Sequence, residues 1–361
     1  MRISPSDTLV LVQVLAGVGG LFFAVPPIHA DAPGPAAWGT LKSPVKRTMK
    51  TSFLHSLEHP RRWRVDAWPR ALVLLILFSV IRVHSAQVPE RVDVWPGLAP
   101  GETTRQLGRA QPFRKNEVPP VVRMEQITRP TFTVHLAPEP NGAVVLILPG
   151  GGFGKVVTNK EGTEAAAWLH RQGVSACVLS YRTRNAPGES GWKKALQDAQ
   201  RALSLIRQRA PSWGLKPDGI GLLGFSAGGQ VAARLLGSEG KGPGLVGDAI
   251  DQVSCRPDFA LLVYPWNLYD TARDALFDGI TVPASCPPTF LLHTDDDPSS
   301  SLGAILFYAG LKRHGIPAEI HVYGNGGHGY GLREVQGSRI HTWPRHAGHW
   351  LQGVLENTGQ E

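Results

Sequence analysis

Gly219-Ile220-Gly221-Leu222-Leu223-Gly224-Phe225-Ser226-Ala227-Gly228-Gly229 is the stretch on which the reading of this chain turns. Its apolar front, residues 219–223, has the length and composition of a short buried strand. Residues 229–236 read as a helix with small residues at its start. Gly-x-Ser-x-Gly stands between them. A serine at such a turn is held at sparsely allowed backbone angles, so only small neighbours fit around it. Gly224 and Gly228 supply that room. The turn lifts the Ser226 hydroxyl above the sheet. It also leaves N–H groups unpaired at the helix start, where they can face a developing negative charge. The pentapeptide alone arises by chance in a chain with 41 glycines. The strand before it and the helix after it make it a nucleophile elbow.

Outward from the elbow, strands alternate with helices. Residues 143–148 form a continuous apolar run, the mark of a strand buried on both faces. Residues 174–179, 259–264, 289–293 and 319–323 read as further strands, and residues 132–136 alternate as an edge strand does. Helices are expected over residues 161–171, 192–210, 301–314 and 343–355. The second carries Ala195, Leu196, Ala199, Ala202, Leu203 and Ile206 on one stripe. Such alternation calls for a mostly parallel, twisted sheet covered by helices on both faces, an α/β fold in one domain.

The first 86 residues do not belong to that pattern. They hold two apolar runs, residues 9–25 and 71–81, around a Pro-, Gly- and Ala-rich stretch. Arg61, Arg62, Arg64 and Arg70 precede the second run, and Val83-His84-Ser85-Ala86 closes it. A basic region, a short apolar core and a small-residue end make a secretory signal. Translation starting at Met49 would leave residues 49–86 as one signal peptide. The alternative places a signal in the first run, ending near Ala30. Both imply an exported protein, periplasmic or extracellular, with no stable membrane partner once the signal is removed. Of the formal net charge of +8, this leader carries +6 and the rest of the chain +2. The near-neutral remainder gives no sign of a nucleic-acid surface.

Ser226 needs a base and a group to orient it, and in this architecture the chain order is Ser, then Asp or Glu, then His. Asp295-Asp296-Asp297 follows the strand at 289–293, and Gly326-Gly327-His328-Gly329-Tyr330-Gly331 follows the strand at 319–323. Both lie past strand C-terminal ends, the edge where open α/β sheets bind ligands. His328 is the candidate general base. Pro149-Gly150-Gly151-Gly152-Phe153-Gly154 follows the strand at 143–148 and can bring backbone N–H groups close to a substrate. Gly151, Gly152 and Ala227 are the expected oxyanion donors. A phosphate cradle is the alternative, but the loop lacks a Gly-Lys-Ser/Thr ending and a Gly-x-Gly-x-x-Gly spacing. No His-Glu-x-x-His or similar metal spacing occurs, and no cofactor is expected. Phe153, Tyr264 and Trp266 are candidate substrate contacts, the last two being equally plausible as packing residues at a strand end.

The Gly-rich loop, Leu179-Ser180-Tyr181-Arg182, residues 196–202 (LQDAQRA), residues 221–229 (GLLGFSAGG) and Gly327-His328-Gly329-Tyr330-Gly331 together resemble the acetyl-xylan-esterase and feruloyl-esterase-like branch of bacterial α/β-hydrolases. The similarity covers roughly residues 90–355. By position the Gly-rich loop is the counterpart of the His-Gly-Gly-Gly loop of lipases and esterases, with Pro149 in place of the histidine. Residues 293–297 resemble the His-Gly-x-x-Asp loop of esterases and prolyl-oligopeptidase-type hydrolases, which maps the acid onto Asp297, with Asp296 as the other choice. Asp295 and the run Ser299-Ser300-Ser301 depart from the family, which usually has valine or proline there. The resemblance implies hydrolysis of an ester on an acetylated, xylan-like carbohydrate through an acyl-enzyme, without fixing the acyl group or the oligomeric state. It divides the chain into a leader over 1–86, an irregular arm over 87–130 and a catalytic domain over 131–357. A serine peptidase, a dienelactone-type hydrolase and a non-catalytic carbohydrate-binding protein are the rivals. The peptidase would usually carry an added propeller, for which residues 1–122 are too short and not β-rich. Finally, Cys255 and Cys286 each precede strands expected to be neighbours. Export permits a disulfide between them, while Cys177 reads as a buried thiol.

Overall fold

The computed structural model describes residues 89–358, apart from Asn185 and Pro187. The leader expected over residues 1–86, with Met49 and both apolar runs, lies outside the described residues. The strand Val144–Leu148 shows why a parallel sheet forms here. All five side chains are fully buried. Val144, Leu146 and Leu148 enter the apolar layer on one face of the sheet, and Val145 and Ile147 the layer on the other. A period of two with no polar member stabilises only a strand covered on both sides. At roughly 1.5–3 kcal/mol per buried aliphatic side chain, this strand alone contributes on the order of 10 kcal/mol of gross burial.

Eight strands build the main sheet: β1 (Glu90–Asp93), β2 (Thr131–His135), β3 (Val144–Leu148), β4 (Ser175–Ser180), β5 (Ile220–Phe225), β6 (Phe259–Val263), β7 (Thr289–Thr294) and β8 (Ala318–Tyr323). Their order is β1-β2-β4-β3-β5-β6-β7-β8. β1 and β2 pair antiparallel, as do β2 and β4, and every later neighbour pair is parallel. Helices α1 (Glu164–His170) and α5 (Trp343–Thr358) place Trp168, Leu169, Trp343 and Leu351 in one layer. Helices α2 (Gly191–Arg209), α3 (Ala227–Leu236) and α4 (Leu302–Arg313) place Ala199, Leu203, Val231 and Phe307 in the other.

Three expectations are corrected here. The segment expected as an irregular arm is partly strand. Glu90–Asp93 pairs with Thr131–Val134, so the edge belongs to β1, and β2, expected at the edge, lies one place inside. Val92 and Trp95 are buried, which is what draws the arm onto the sheet. Arg109–Ala110, Arg123–Glu125 and Val156–Val157 form a second, three-stranded sheet. The helix expected from Glu161 begins as a π-helical turn, Asn159–Thr163, in which the Thr163 N–H reaches the Thr158 carbonyl at 3.0 Å. Such wide turns recur at functional sites. The third correction concerns the cysteines, all of which are free and buried. β6 and β7 are indeed neighbours, with Thr289 paired to Ala260, but both cysteines precede the paired residues and neither is bridged. The Cys286 thiol lies 3.9 Å from the Leu236 carbonyl, and burial raises both thiols to a pKa of about 11.

Several motif residues prove structural. Asp198 on α2 accepts the Trp95 indole N–H at 2.7 Å and the Arg182 backbone N–H at 2.8 Å, with the Arg182 guanidinium beside it. The Arg182 and Arg201 guanidinium carbons lie 5.6 and 5.1 Å from the Trp95 ring. This buried cluster ties the arm to β4 and α2. Gly228 shows how tight the elbow is: a Cβ there would lie 2.0 Å from the Leu148 carbonyl oxygen. Gly228→Ala should therefore destabilise by about 3 kcal/mol or more, measured as a urea midpoint. Gly154→Ala, with nothing within 4 Å of its Cβ, should change the midpoint little.

Candidate active site

Ser226 sits at φ 52°, ψ −120°, between β5 and α3. These angles are strained for a residue with a Cβ, and surrounding bonds impose them. The Ser226 N–H donates to the Val263 carbonyl at 3.1 Å, and its carbonyl accepts from Trp266 N–H at 2.9 Å and Gln230 N–H at 3.0 Å. No side chain caps the start of α3, so its first N–H groups stay available.

The Ser226 hydroxyl lies 2.7 Å from His328 Nε2, and His328 Nδ1 lies 2.6 Å from Asp297 Oδ2. Asp297 is buried, and its Oδ1 accepts the Ser299 N–H at 2.7 Å. The three side chains come from the ends of β5, β7 and β8. Asp296 is placed differently: its carboxylate accepts the Gly327 N–H at 2.8 Å and the Gly326 N–H at 3.1 Å. Those bonds hold its carboxyl below the usual range. Asp296 thus grips the loop that carries His328 instead of contacting the imidazole, capping the next helix or merely facing water. Behind Asp297 lies His293, fully buried, with Nδ1 4.0 Å from Asp297 Oδ2 and Nε2 without a partner among the described residues. Burial lowers its pKa, which favours the neutral ring.

Gly151 and Gly152 line a cavity of about 340 Å³ together with Ser226, His328, Gly329 and Trp266. The Trp266 ring lies 4.9 Å from the imidazole. The other two expected substrate contacts do not line this cavity. Tyr264 is completely buried, 5.1 Å behind the imidazole ring, and its hydroxyl donates to Glu161 Oε1 at 3.0 Å. Phe153 turns away because its Cβ fills the space left by Gly191, where an added Cβ would be 2.4 Å from it.

Glu161 is the site residue that reasoning from sequence missed. It reads there as the first residue of an ordinary helix. The π-helical turn swings it inward, where it accepts the Gly150 N–H at 2.7 Å as well as the Tyr264 hydroxyl. Tyr264 in turn accepts the Gly331 N–H at 2.9 Å. One buried carboxylate thus links the Gly-rich loop to the histidine loop. Burial pushes its pKa up, and the two donors oppose that rise. The signal for it in the sequence is slight, an acid between Lys160 and Gly162 some ten residues after the glycines. Among the described residues no group of three or more His, Cys, Asp or Glu side chains could hold a metal ion. No described helix is long and apolar enough to cross a membrane.

An eight-stranded sheet of this order, with a serine on a strained turn after its fifth strand, defines an α/β-hydrolase-fold protein. Within that class, residues 134–251 match the BD-FAE family model. The chain is 23% identical over 260 residues to an acetylxylan esterase of Xylanibacter ruminicola, covering 61% of this chain and 47% of that protein. It is 28% identical over 208 residues to endo-1,4-beta-xylanase B of Butyrivibrio fibrisolvens, covering 51% and 32%. The chain therefore spans about half the length, or less, of these curated relatives. Among solved structures, an acetyl ester-xyloside bifunctional hydrolase from Caldicellulosiruptor lactoaceticus aligns with a TM-score of 0.57 and 26% identity, over 75% of this chain and 98% of that one. A carboxylesterase from Lactobacillus plantarum aligns at 0.52 and 21%, over 68% and 98%, a likeness of fold.

Proposed function

We propose that this protein is a serine carboxylic-ester hydrolase that deacetylates carbohydrate of the xylan type, with Ser226 as nucleophile, His328 as general base and Asp297 as the acid that orients it. The observation that carries the reading is the hydrogen-bonded series Ser226–His328–Asp297 opening on one cavity with two loop glycines. Ser226 Oγ attacks the ester carbonyl carbon as His328 Nε2 takes its proton. Asp297 holds the imidazole with its hydrogen on Nδ1 and stabilises the imidazolium. The tetrahedral oxyanion rests on the N–H groups of Gly151, Gly152 and Ala227. His328 then protonates the leaving alcohol, and water repeats the sequence to release the acid. The acetylated-sugar substrate is inferred from the acetylxylan esterase and acetyl ester-xyloside hydrolase likenesses.

A fluorophosphonate tests the chemistry. Ser226 Oγ should displace fluoride at phosphorus, and the labelled peptide should contain Ser226. Release of nitrophenol from nitrophenyl acetate should stop as labelling completes. Turnover that persists after full labelling would refute the assignment. Export, proposed from the leader pattern alone, predicts a mature N-terminus near Gln87, or just after Ala30 if the first apolar run is the signal; a protein retained in the cytoplasm with its N-terminus uncut would contradict it.

Glu161 has a positioning role in this mechanism. Glu161→Ala removes the link between the Gly-rich and histidine loops, and a displacement of about 1 Å can cost on the order of 10²-fold in rate. The loss is expected in kcat with KM for nitrophenyl acetate little changed, because both Glu161 oxygens are already engaged by the Gly150 N–H and the Tyr264 hydroxyl. A drop in thermal stability with kcat intact would make the residue purely structural.

A further inference from the structure

The cavity in front of Ser226 is unusually basic for a site that takes a neutral ester. Arg114, Arg123, Lys155 and Lys160 all line it, and Glu161 is the one carboxylate in its wall. The four cations come from distant segments: the arm supplies both arginines, Lys155 follows the Gly-rich loop, and Lys160 lies in the π-helical turn. Counter-charge covers only some of them. Glu117 pairs with Arg123 and lies 3.8 Å from Arg114. Lys155 and Lys160 form no ion pair among the described residues. Glu161 is held by the Gly150 N–H and the Tyr264 hydroxyl.

Both lysines are half-buried, and neither is a loose surface chain. Added Cβ atoms on Gly151 and Gly331 would lie 3.1 Å from Lys155 Cγ and Lys160 Cγ, so each stem packs against a glycine of the site. Burial lowers the pKa of Lys155, Arg114 and Arg123 push it the same way, and Glu125 opposes them. Lys160 is likewise lowered by burial, with Glu161, Glu117 and Glu164 opposing the effect and Arg333 adding to it. Cations crowded in a concave wall repel one another and focus a positive field at its mouth. An acetyl ester has no charge to meet that field.

We infer that the substrate carries an anionic group, a carboxylate or a sulfate on the sugar, which Lys155 and Lys160 bind beside the ester attacked by Ser226. The inference rests on the esterase reading above and deepens it by assigning a substrate class, an acylated acidic saccharide. It also gives the arm a function, since Arg114 and Arg123 complete the basic wall. The anion stays on the product, so the reaction remains the hydrolysis of one ester to an acid and an alcohol.

Matched substrates test it. Acetate release is measured from an O-acetylated methyl glucoside, the corresponding O-acetylated methyl glucuronide and the O-acetylated methyl glucoside 6-sulfate. The anionic substrates should show kcat/KM higher than the neutral one by about 10-fold or more, and added salt should shrink that ratio. The arms separate the two anions: whichever gives the higher ratio names the group. Lys155→Gln/Lys160→Gln should bring the ratio towards one, whereas Lys312→Gln, an exposed lysine on α4, should leave it unchanged. A native ratio at or below one overturns the inference while leaving the esterase reading standing. So does a ratio above one that ignores both salt and the double substitution. Should no ester be turned over at all, the esterase reading fails. The anion site is then tested by calorimetric titration of Ser226→Ala with methyl glucuronide and methyl glucoside. Tighter, salt-sensitive binding of the glucuronide upholds the site, and equal binding of the two removes it.

Discussion

Ser226→Ala should lower kcat/KM for nitrophenyl acetate by about 10⁴–10⁶-fold, with the fold preserved. The hydroxyl is the atom that forms the acyl bond, and no other hydroxyl lines the cavity. The remaining rate would come from oxyanion stabilisation of attack by water. Stability offers a second readout. Ser226 is held at φ 52°, a conformation that costs roughly 1–3 kcal/mol for a residue with a Cβ. Alanine keeps that Cβ, so Ser226→Ala should unfold near the native temperature. Glycine relieves the strain but adds freedom to the unfolded chain, leaving a net gain of about 1 kcal/mol. A Ser226→Gly protein that is inactive yet more stable would show that the turn stores strain for the sake of the hydroxyl. Activity within 10-fold of native in Ser226→Ala would end the proposed mechanism.

Asp297→Asn should lower kcat by about 10⁴-fold while KM changes little. The reason lies in two hydrogen bonds. Asp297 Oδ1 accepts the Ser299 N–H, so the asparagine oxygen is expected to stay there. Its NH₂ group then faces His328 Nδ1, where a donor forces the imidazole to carry its hydrogen on Nε2. In that tautomer His328 cannot accept the Ser226 proton. Asp296→Asn loses one of two bonds to the histidine loop, a change of about 1 kcal/mol and well under 10-fold in rate. Equal losses in the two variants, or a larger loss at Asp296, would reassign the acid.

The legibility of this site in the sequence was uneven, and the reasons are local. The elbow was legible because its sterics are confined to a few neighbours: Gly224, Ser226 and Gly228 belong to one turn. The buried strands were legible because a covered strand must be apolar at every position, as Val144–Leu148 is. Tyr264 lies behind the imidazole rather than in the cavity wall because a residue at the C-terminal end of a strand can face either way, and Phe153, in the loop five residues past Leu148, turns onto Gly191. A backbone angle decides between them, and both sit at positive φ, 37° and 62°. The edge position of β2 failed for a related reason. Alternation reports which face is wet, not whether another strand pairs alongside.

The sequence by itself determined the strand–elbow–helix unit, the Gly-rich loop after a buried strand, and the chain order of Ser226, an acid and His328. Each is a constraint between residues close in the chain, or a rule of connection that the parallel sheet enforces. Only the tertiary structure decided which aspartate meets the imidazole, because Asp296 and Asp297 differ by a single step of backbone at the end of β7. It alone joined Gly150, Glu161, Tyr264 and Gly331 into one buried brace, and gathered Arg114, Arg123, Lys155 and Lys160 in front of Ser226. The net charge of +2 over residues 87–361 conceals that gathering. Charge is additive along a chain, whereas the field at a site depends on where folding places each charge.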